Sequence, residues 1–233
     1  EEYSVAQYAE DARRCIRETA RRGRLPIITG GTGLYINALV ENIQFNRFPD
    51  LLPEEIAELE DYAREKGAEA LYEILRNEDP EAALQIHFNN IKRVVRAIGM
   101  KRRTGMTLAE RNRASRSQPP EVDCTVYALE TDRGLLYERI NRRVDQMLRA
   151  GFADEVRNVI KICENAYTLG ETQQKSLGKT ALQAIGYKEM IACFNGEYDF
   201  ETAVERIKQS TRHYAKRQIT WFRKPAWVNW IGL

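Results

Sequence analysis

Three glycines, Gly30, Gly31 and Gly33, fall within four residues, between the apolar stretches Leu25–Thr29 and Leu34–Val40. Leu25, Ile27 and Ile28 beside Pro26 suit a parallel strand buried on both faces, which tolerates a proline at its first residues. The glycines permit a positive φ or a close backbone approach, and Thr32 stands where a helix would begin. Leu34, Ile36, Ala38, Leu39 and Val40 then predict a mostly apolar helix packing back on the strand. Strand, glycine turn and helix in this order aim free backbone N–H groups and the positive end of a helix into a crevice. That arrangement suits a phosphate or pyrophosphate. Thr32 has two compatible readings, as an N-cap and as a ligand contact.

Only two other stretches, Val122–Glu130 and Trp227–Ile231, read as strands, fewer than a doubly wound core needs. Further strands are therefore expected ahead of Glu1, where the chain starts without Met. A chain of 233 residues with 43% hydrophobic and 30% charged content fits one large domain or two modest ones. No apolar run approaches the roughly eighteen residues that span a bilayer. Cys15, Cys124, Cys163 and Cys193 are too scattered for Cys-x-x-Cys zinc spacing and favour reduced thiols in a cytoplasmic protein. His87 and His213 alone exclude a multi-histidine metal site, and His87 is read as a packing or capping residue. Gly178–Thr180, Gly-Lys-Thr, is not a phosphate loop: Gln173 stands where the first glycine of G-x-x-x-x-G-K-[ST] would fall, and no apolar strand precedes it.

The net charge of +2 conceals strong segregation. Asp50 to Glu81 carries twelve acidic residues, whereas Lys92 to Arg116 carries nine basic residues and one acid, Glu110. Leu59, Tyr62, Ala63, Ala70, Leu71, Ile74 and Leu75 form the core stripe of a predicted acidic helical hairpin. Ile91, Val94, Val95 and Ile98 form that of the basic helix, whose exposed Lys92, Arg93 and Arg96 are either solvated surface or a phosphate-binding patch. The core pattern on either side makes this region an insertion. Val122–Glu130 leads into a long helix bearing Arg139, Arg142 and Arg143. Arg206 to Lys224 closes the chain with seven basic residues, no acids and interleaved rings. Lys208, Arg212 and Lys216 recur at every fourth residue and share a helical face. The rings either stack on unpaired bases or belong to the core; for Trp221 and Phe222 we favour the core.

Five segments occur in the order and form of one family: GGTGLY at Gly30–Tyr35, KRVVRA at Lys92–Ala97, ERINRRVDQML at Glu138–Leu148, QAIGYKEM at Gln183–Met190 and TRHYAKRQITWFR at Thr211–Arg223. The chain thus resembles the tRNA dimethylallyltransferases, or tRNA isopentenyltransferases, of the shorter bacterial form. The resemblance implies an α/β fold with a P-loop NTPase-like parallel-sheet core over 1–42 and 121–233 and a helical insertion domain over 43–120. It implies transfer of a dimethylallyl group from dimethylallyl diphosphate to N6 of adenosine 37 in the tRNA anticodon loop, with Mg²⁺, by a monomer that meets no membrane. Thr32 would be catalytic, and Gly30, Gly31 and Arg143 would border the diphosphate channel. Lys92, Arg93, Val94, Val95 and Arg96, Gln183, and Thr211, Arg212, His213, Tyr214, Ala215, Lys216, Arg217 and Gln218 would contact tRNA. The family's phosphate loop and the acidic segment with its general base are absent from this sequence, so the chain alone is expected not to turn over. His87-Phe88-Asn89-Asn90 replaces the usual His-Pro-Asn. A non-catalytic RNA-binding module and a P-loop small-molecule kinase are the alternatives; the kinase leaves both basic helices unexplained.

Overall fold

The computed structural model describes residues 3–45, 48–168 and 183–232. By its contacts the chain forms two compact units: Ile27–Gly33 with Cys124–Leu233, and Val5–Pro26 with Leu34–Asp123. Residues 5–26 and 34–42, expected with 121–233, group instead with the insertion. The segment Gly178–Thr180 lies outside the described residues.

The insertion unit is helical. α1 (Val5–Arg21) ends where Gly23 takes φ of +67°, a conformation that costs a residue with a Cβ. Tyr8 of α1 stacks on Tyr35 at 4.4 Å in α2 (Gly33–Val40), and Arg13 donates to the Ala38 carbonyl at 3.2 Å. α3 (Pro53–Lys66) and α4 (Ala68–Glu78) form the expected acidic hairpin, hinged at Gly67 with φ of +92°. Its Leu59, Ala63, Leu71 and Leu75 close on Val94, Val95, Ala97 and Ile98 of α6 (Ile91–Thr104). Tyr62, expected in that stripe, is exposed instead. Between them lie α5 (Pro80–Gln85) and, after α6, α7 (Leu108–Ser115). Asp79, 1% exposed, joins these short helices: its Oδ1 accepts from Ala82 N at 3.1 Å and its Oδ2 from Leu108 N at 2.7 Å. His87 caps locally, its Nδ1 accepting from Asn89 N at 3.2 Å, as the sequence suggested.

The other unit carries a parallel pair of strands, β1 (Val126–Glu130) and β2 (Val228–Gly232), in register Val126↔Val228 to Glu130↔Gly232. Between them run α8 (Arg133–Arg149), α9 (Phe152–Thr168), α10 (Tyr187–Phe194) and α11 (Phe200–Phe222). Their core is Val144, Phe152, Val156, Met190, Ala203 and Ile207. Asp132 starts α8 by accepting from Gly134 N and Leu135 N, and Asp199 starts α11 by accepting from Thr202 N at 2.7 Å. The two strands at Val122–Glu130 and Trp227–Ile231 are thus present, each shorter or displaced by a residue. Leu25–Thr29 is not a strand. A strand is held by ladder hydrogen bonds, this segment has no ladder partner among the described residues, and Leu25 and Ile27 are 83% and 79% exposed.

Candidate functional site

The glycine bend is fastened to α11. Gln218 Nε2 donates to the Gly31 carbonyl at 2.9 Å, and a Cβ added to Gly31 would lie 1.9 Å from that nitrogen. A Cβ on Gly33 would lie 2.2 to 2.4 Å from the Trp221 atoms Cδ1, Nε1 and Cγ. None of the three glycines has a positive φ, so of the two uses left open by the sequence Gly31 and Gly33 serve the second, close approach. Gly30 faces open space. Thr32 directly precedes α2 and is exposed, and its hydroxyl makes no hydrogen bond among the described residues. The bend therefore presents a free hydroxyl beside the unsatisfied amides of a helix start, where a negative charge is stabilised.

Trp221, 42% exposed, is not the core residue expected; its ring lies against Gly33, and the same residue borders the outer flank of α11. There His213, Lys216, Arg217, Thr220, Trp221 and Lys224 line an open hollow of about 510 Å³. Arg217 lies 5.7 Å from the Tyr214 ring centroid, a cation–π contact that leaves its charge uncompensated. Lys216, Arg217 and Lys224 have no ion pair among the described residues. Cations beside a half-exposed indole can track phosphates and stack a base. The other end of α11 is different. Lys208 bridges Asp145 at 2.9 Å and Glu205 at 3.3 Å, partners that raise its pKa through their hydrogen bonds, and Arg212 donates to Asn141 Oδ1 at 2.7 Å. The Lys208, Arg212, Lys216 row is therefore not one free face. Thr211 donates to the Ile207 carbonyl at 2.8 Å, Ala215 is half-buried, and His213 and Tyr214 are exposed.

Arg143 is exposed and unpaired among the described residues, as is Arg139 one turn earlier. The pairs Asn141–Arg212 and Asp145–Lys208 make α8 and α11 antiparallel. Arg143 sits between those pairs, about 12 Å along the axis from the level of Gln218, and about 160–200° around α8 from them. The structure thus brings Gly31, Gly33, Gln218 and Trp221 together and sets Arg143 on the outer side of α8.

On the insertion unit, Lys92, Arg93 and Arg96 are exposed and unpaired among the described residues. Val94 and Val95, expected among the contacts, are buried, so their side chains face the core of the insertion unit. Three other cations of the basic run are compensated from a distance: Arg102 by Glu78 at 2.7 Å, Arg103 by Glu55 at 2.9 Å and Arg116 by Glu41 at 2.7 Å.

Gln183 is exposed at the approach to α10. Past it, Gly186 takes φ of +98°, and Glu189, buried, accepts from Gly186 N at 2.8 Å and from Ser210 Oγ at 2.9 Å. Glu189 ties the segment to α11 and was missed in the sequence, although a glutamate three residues into a helix is half of a capping box. Among the described residues no three His, Cys, Asp or Glu side chains converge as a metal site, so these residues do not form a protein cage for Mg²⁺. No described helix is long and apolar enough to cross a membrane.

The family described as IPP transferase matches residues 1–225. A tRNA dimethylallyltransferase of Caldanaerobacter subterraneus subsp. tengcongensis is 42% identical over 234 residues, covering 99% of this chain and 70% of the relative. One from Enterococcus faecalis is 42% identical over 235 residues, covering 100% and 70%. The solved tRNA isopentenylpyrophosphate transferase of Bacillus halodurans superposes with a TM-score of 0.59 at 37% identity, covering 100% of this chain and 68% of that one. A eukaryotic dimethylallyltransferase solved acting on tRNA gives 0.72 at 24% identity, with 100% and 57% coverage, a likeness of fold. With the glycine bend pinned to a cationic helix and a match that runs from the first residue to the end of that helix, this chain belongs to the IPP transferase family.

Proposed function

We propose that this protein transfers a dimethylallyl group from dimethylallyl diphosphate to N6 of adenosine 37 in the tRNA anticodon loop, on a P-loop NTPase-like core with 43–120 as its helical insertion. The observation that carries the reading is the Gln218–Gly31 hydrogen bond, which puts a phosphate-suited bend and a cationic, aromatic flank on one helix. In the reaction the N6 amine bonds to the allylic carbon, the carbon–oxygen bond breaks, diphosphate departs and N6 loses a proton. The first need is to stabilise the departing charge, and the amides at the start of α2 meet it with the Thr32 hydroxyl beside them. Arg143, on the outer side of α8 and away from the bend, is left without a role at the diphosphate. The second need is to hold the target base unstacked, which costs a few kcal/mol. His213, Lys216 and Arg217 grip backbone phosphates, Trp221 offers a ring face, and Lys92, Arg93 and Arg96 add phosphate contacts on the other unit. Gln183 is assigned a polar contact to RNA, while Gln218 acts by holding Gly31. The diphosphate is expected to carry Mg²⁺, and the protein to act as a cytoplasmic monomer.

The test is incubation of the full-length protein with labelled dimethylallyl diphosphate, Mg²⁺ and unmodified tRNA. Label that becomes insoluble in acid with the RNA, and only when both substrates are present, is the expected result. RNA binding with no transfer would favour the non-catalytic module, and nucleotide phosphorylation without tRNA would favour the kinase.

A further inference from the structure

One buried carboxylate has no part in the chemistry above. Glu189, 5% exposed, stands near the start of α10, and both of its oxygens are occupied. Oε2 accepts from Gly186 N at 2.8 Å, and Oε1 accepts from Ser210 Oγ of α11 at 2.9 Å, with Lys188 Nζ 3.5 Å from the same oxygen. The Glu189 backbone carbonyl accepts from the Tyr198 hydroxyl at 3.0 Å. A helix start alone does not need this, because a cap is complete with one carboxylate oxygen on the amide and the other in water. Burying the group costs free energy that its hydrogen bonds offset only in part. What the second oxygen adds is a fixed link between the turn 183–186 and α11. The turn is fixed elsewhere too. A Cβ on Gly186, whose φ is +98°, would lie 2.8 Å from Phe152 Cζ at the start of α9, and the Ala184 carbonyl accepts from Tyr187 N at 3.1 Å.

The place of the link along α11 gives it a consequence for RNA. From the helical repeat, Ser210 and Arg217 differ by only about 20° around the helix and about 10 Å along it, and Trp221 also lies within about 20° of Ser210. The turn that carries the exposed Gln183 is therefore held on the side of α11 that bears the hollow of His213, Arg217 and Trp221. We propose that Glu189 is a positioning residue for RNA: through Gly186 N and Ser210 Oγ it holds Gln183 in line with that hollow, so that Gln183 hydrogen-bonds the RNA strand beside the stretch gripped by Arg217. This rests on the reading of the protein as acting on tRNA, with Gln183 as a contact.

The test is the tRNA affinity of the full-length protein, measured against salt and well below the melting temperature of each variant. Gln183→Ala is expected to weaken binding about 2- to 10-fold, the worth of one hydrogen bond, with no change in the slope of log affinity against log salt, because no charge is lost. Ser210→Ala, which keeps the Gly186 cap, should lose a comparable factor and add almost nothing to Gln183→Ala, whereas Arg217→Ala should add in full to either. Glu189→Gln, whose amide can still accept from Gly186 N and donate to Ser210 Oγ, should bind as the wild type does, and Glu189→Ala should bind as Gln183→Ala does. Ser210→Ala with wild-type affinity overturns the positioning role, as do losses from Ser210→Ala and Gln183→Ala that add. So does Glu189→Gln binding no better than Glu189→Ala. If Gln183→Ala binds tRNA as tightly as the wild type, the Gln183 contact and the role of Glu189 fall while the tRNA reading stands; a wild type that binds no tRNA removes all three.

Discussion

Gly33→Ala is the perturbation whose outcome the structure sets most tightly. The new methyl carbon would sit 2.2 Å from Trp221 Cδ1, 2.3 Å from Nε1 and 2.4 Å from Cγ, within a rigid ring rather than at the end of a flexible chain. The indole must swing away. It is 42% exposed, so rather more than half of its surface is buried. Taking the buried part as about 100 Å² of a tryptophan's 150–250 Å², at about 25 cal/mol per Å², its undocking costs about 2.5 kcal/mol. Overpacking of cores gives a similar figure, about 1–3 kcal/mol. Alanine in place of glycine at a helix start returns less than about 1 kcal/mol. A net loss of about 1.5–2 kcal/mol should lower the melting temperature by roughly 3–8 °C. Differential scanning calorimetry measures it, with the two units allowed separate transitions. Gly30→Ala is the control, because a Cβ there meets nothing within 4 Å. In a Trp221→Ala background Gly33→Ala should cost almost nothing. A Gly33→Ala protein as stable as the Gly30→Ala control, or equally destabilised without the tryptophan, refutes the packing argument.

Arg217→Ala should weaken tRNA binding about uniformly across sequences and flatten its salt dependence by about one contact; an unchanged slope removes the contact. Thr32→Ala should slow transfer by a larger factor than it changes folding, since its hydroxyl caps nothing; a loss of melting temperature with normal specific activity of the folded fraction would make it a structural residue. Backbone hydrogen bonds at helix starts hold Glu55 and Glu110 below the ordinary 4.5, and the hydrogen bonds to Thr202 hold Asp199 below 3.8. A carboxylate whose pKa is lower in the folded state contributes stability that is full above its unfolded value and lost as pH falls through the folded one. Melting temperature should therefore fall below about pH 4.5, and Glu110→Ala should lose less than the wild type on acidification; parallel profiles would contradict the assignment.

The helices were legible because each depends on its own neighbours. The spacing of Leu59, Ala63, Leu71 and Leu75, and of Val94, Val95 and Ile98, gave the packed hairpin and basic helix directly. β1 and β2 could be read from composition because they find each other. Leu25–Thr29 has a similar composition and no ladder partner among the described residues, and nothing within a segment encodes the strand beside it. The glycine bend was located correctly, but its reason lay elsewhere in the sequence, in Gln218 and Trp221. Charge was misread for the same cause. Arg102, Arg103 and Lys208 looked uncompensated locally, whereas their acids sit on other helices at Glu78, Glu55 and Asp145. Removing those pairs narrows the basic patches: Lys92, Arg93 and Arg96 on α6 and Lys216, Arg217 and Lys224 at the end of α11 are among the cations without an ion pair among the described residues.

The most direct measurement is the position of the transferred group. After reaction of the full-length protein with dimethylallyl diphosphate and unmodified tRNA, nuclease fragments of the RNA are examined by mass spectrometry. A mass gain of one isoprene unit confined to adenosine 37, and slower to accumulate with Thr32→Ala, is what the account predicts. A gain on another nucleotide, or none with tRNA bound and the diphosphate intact, contradicts it.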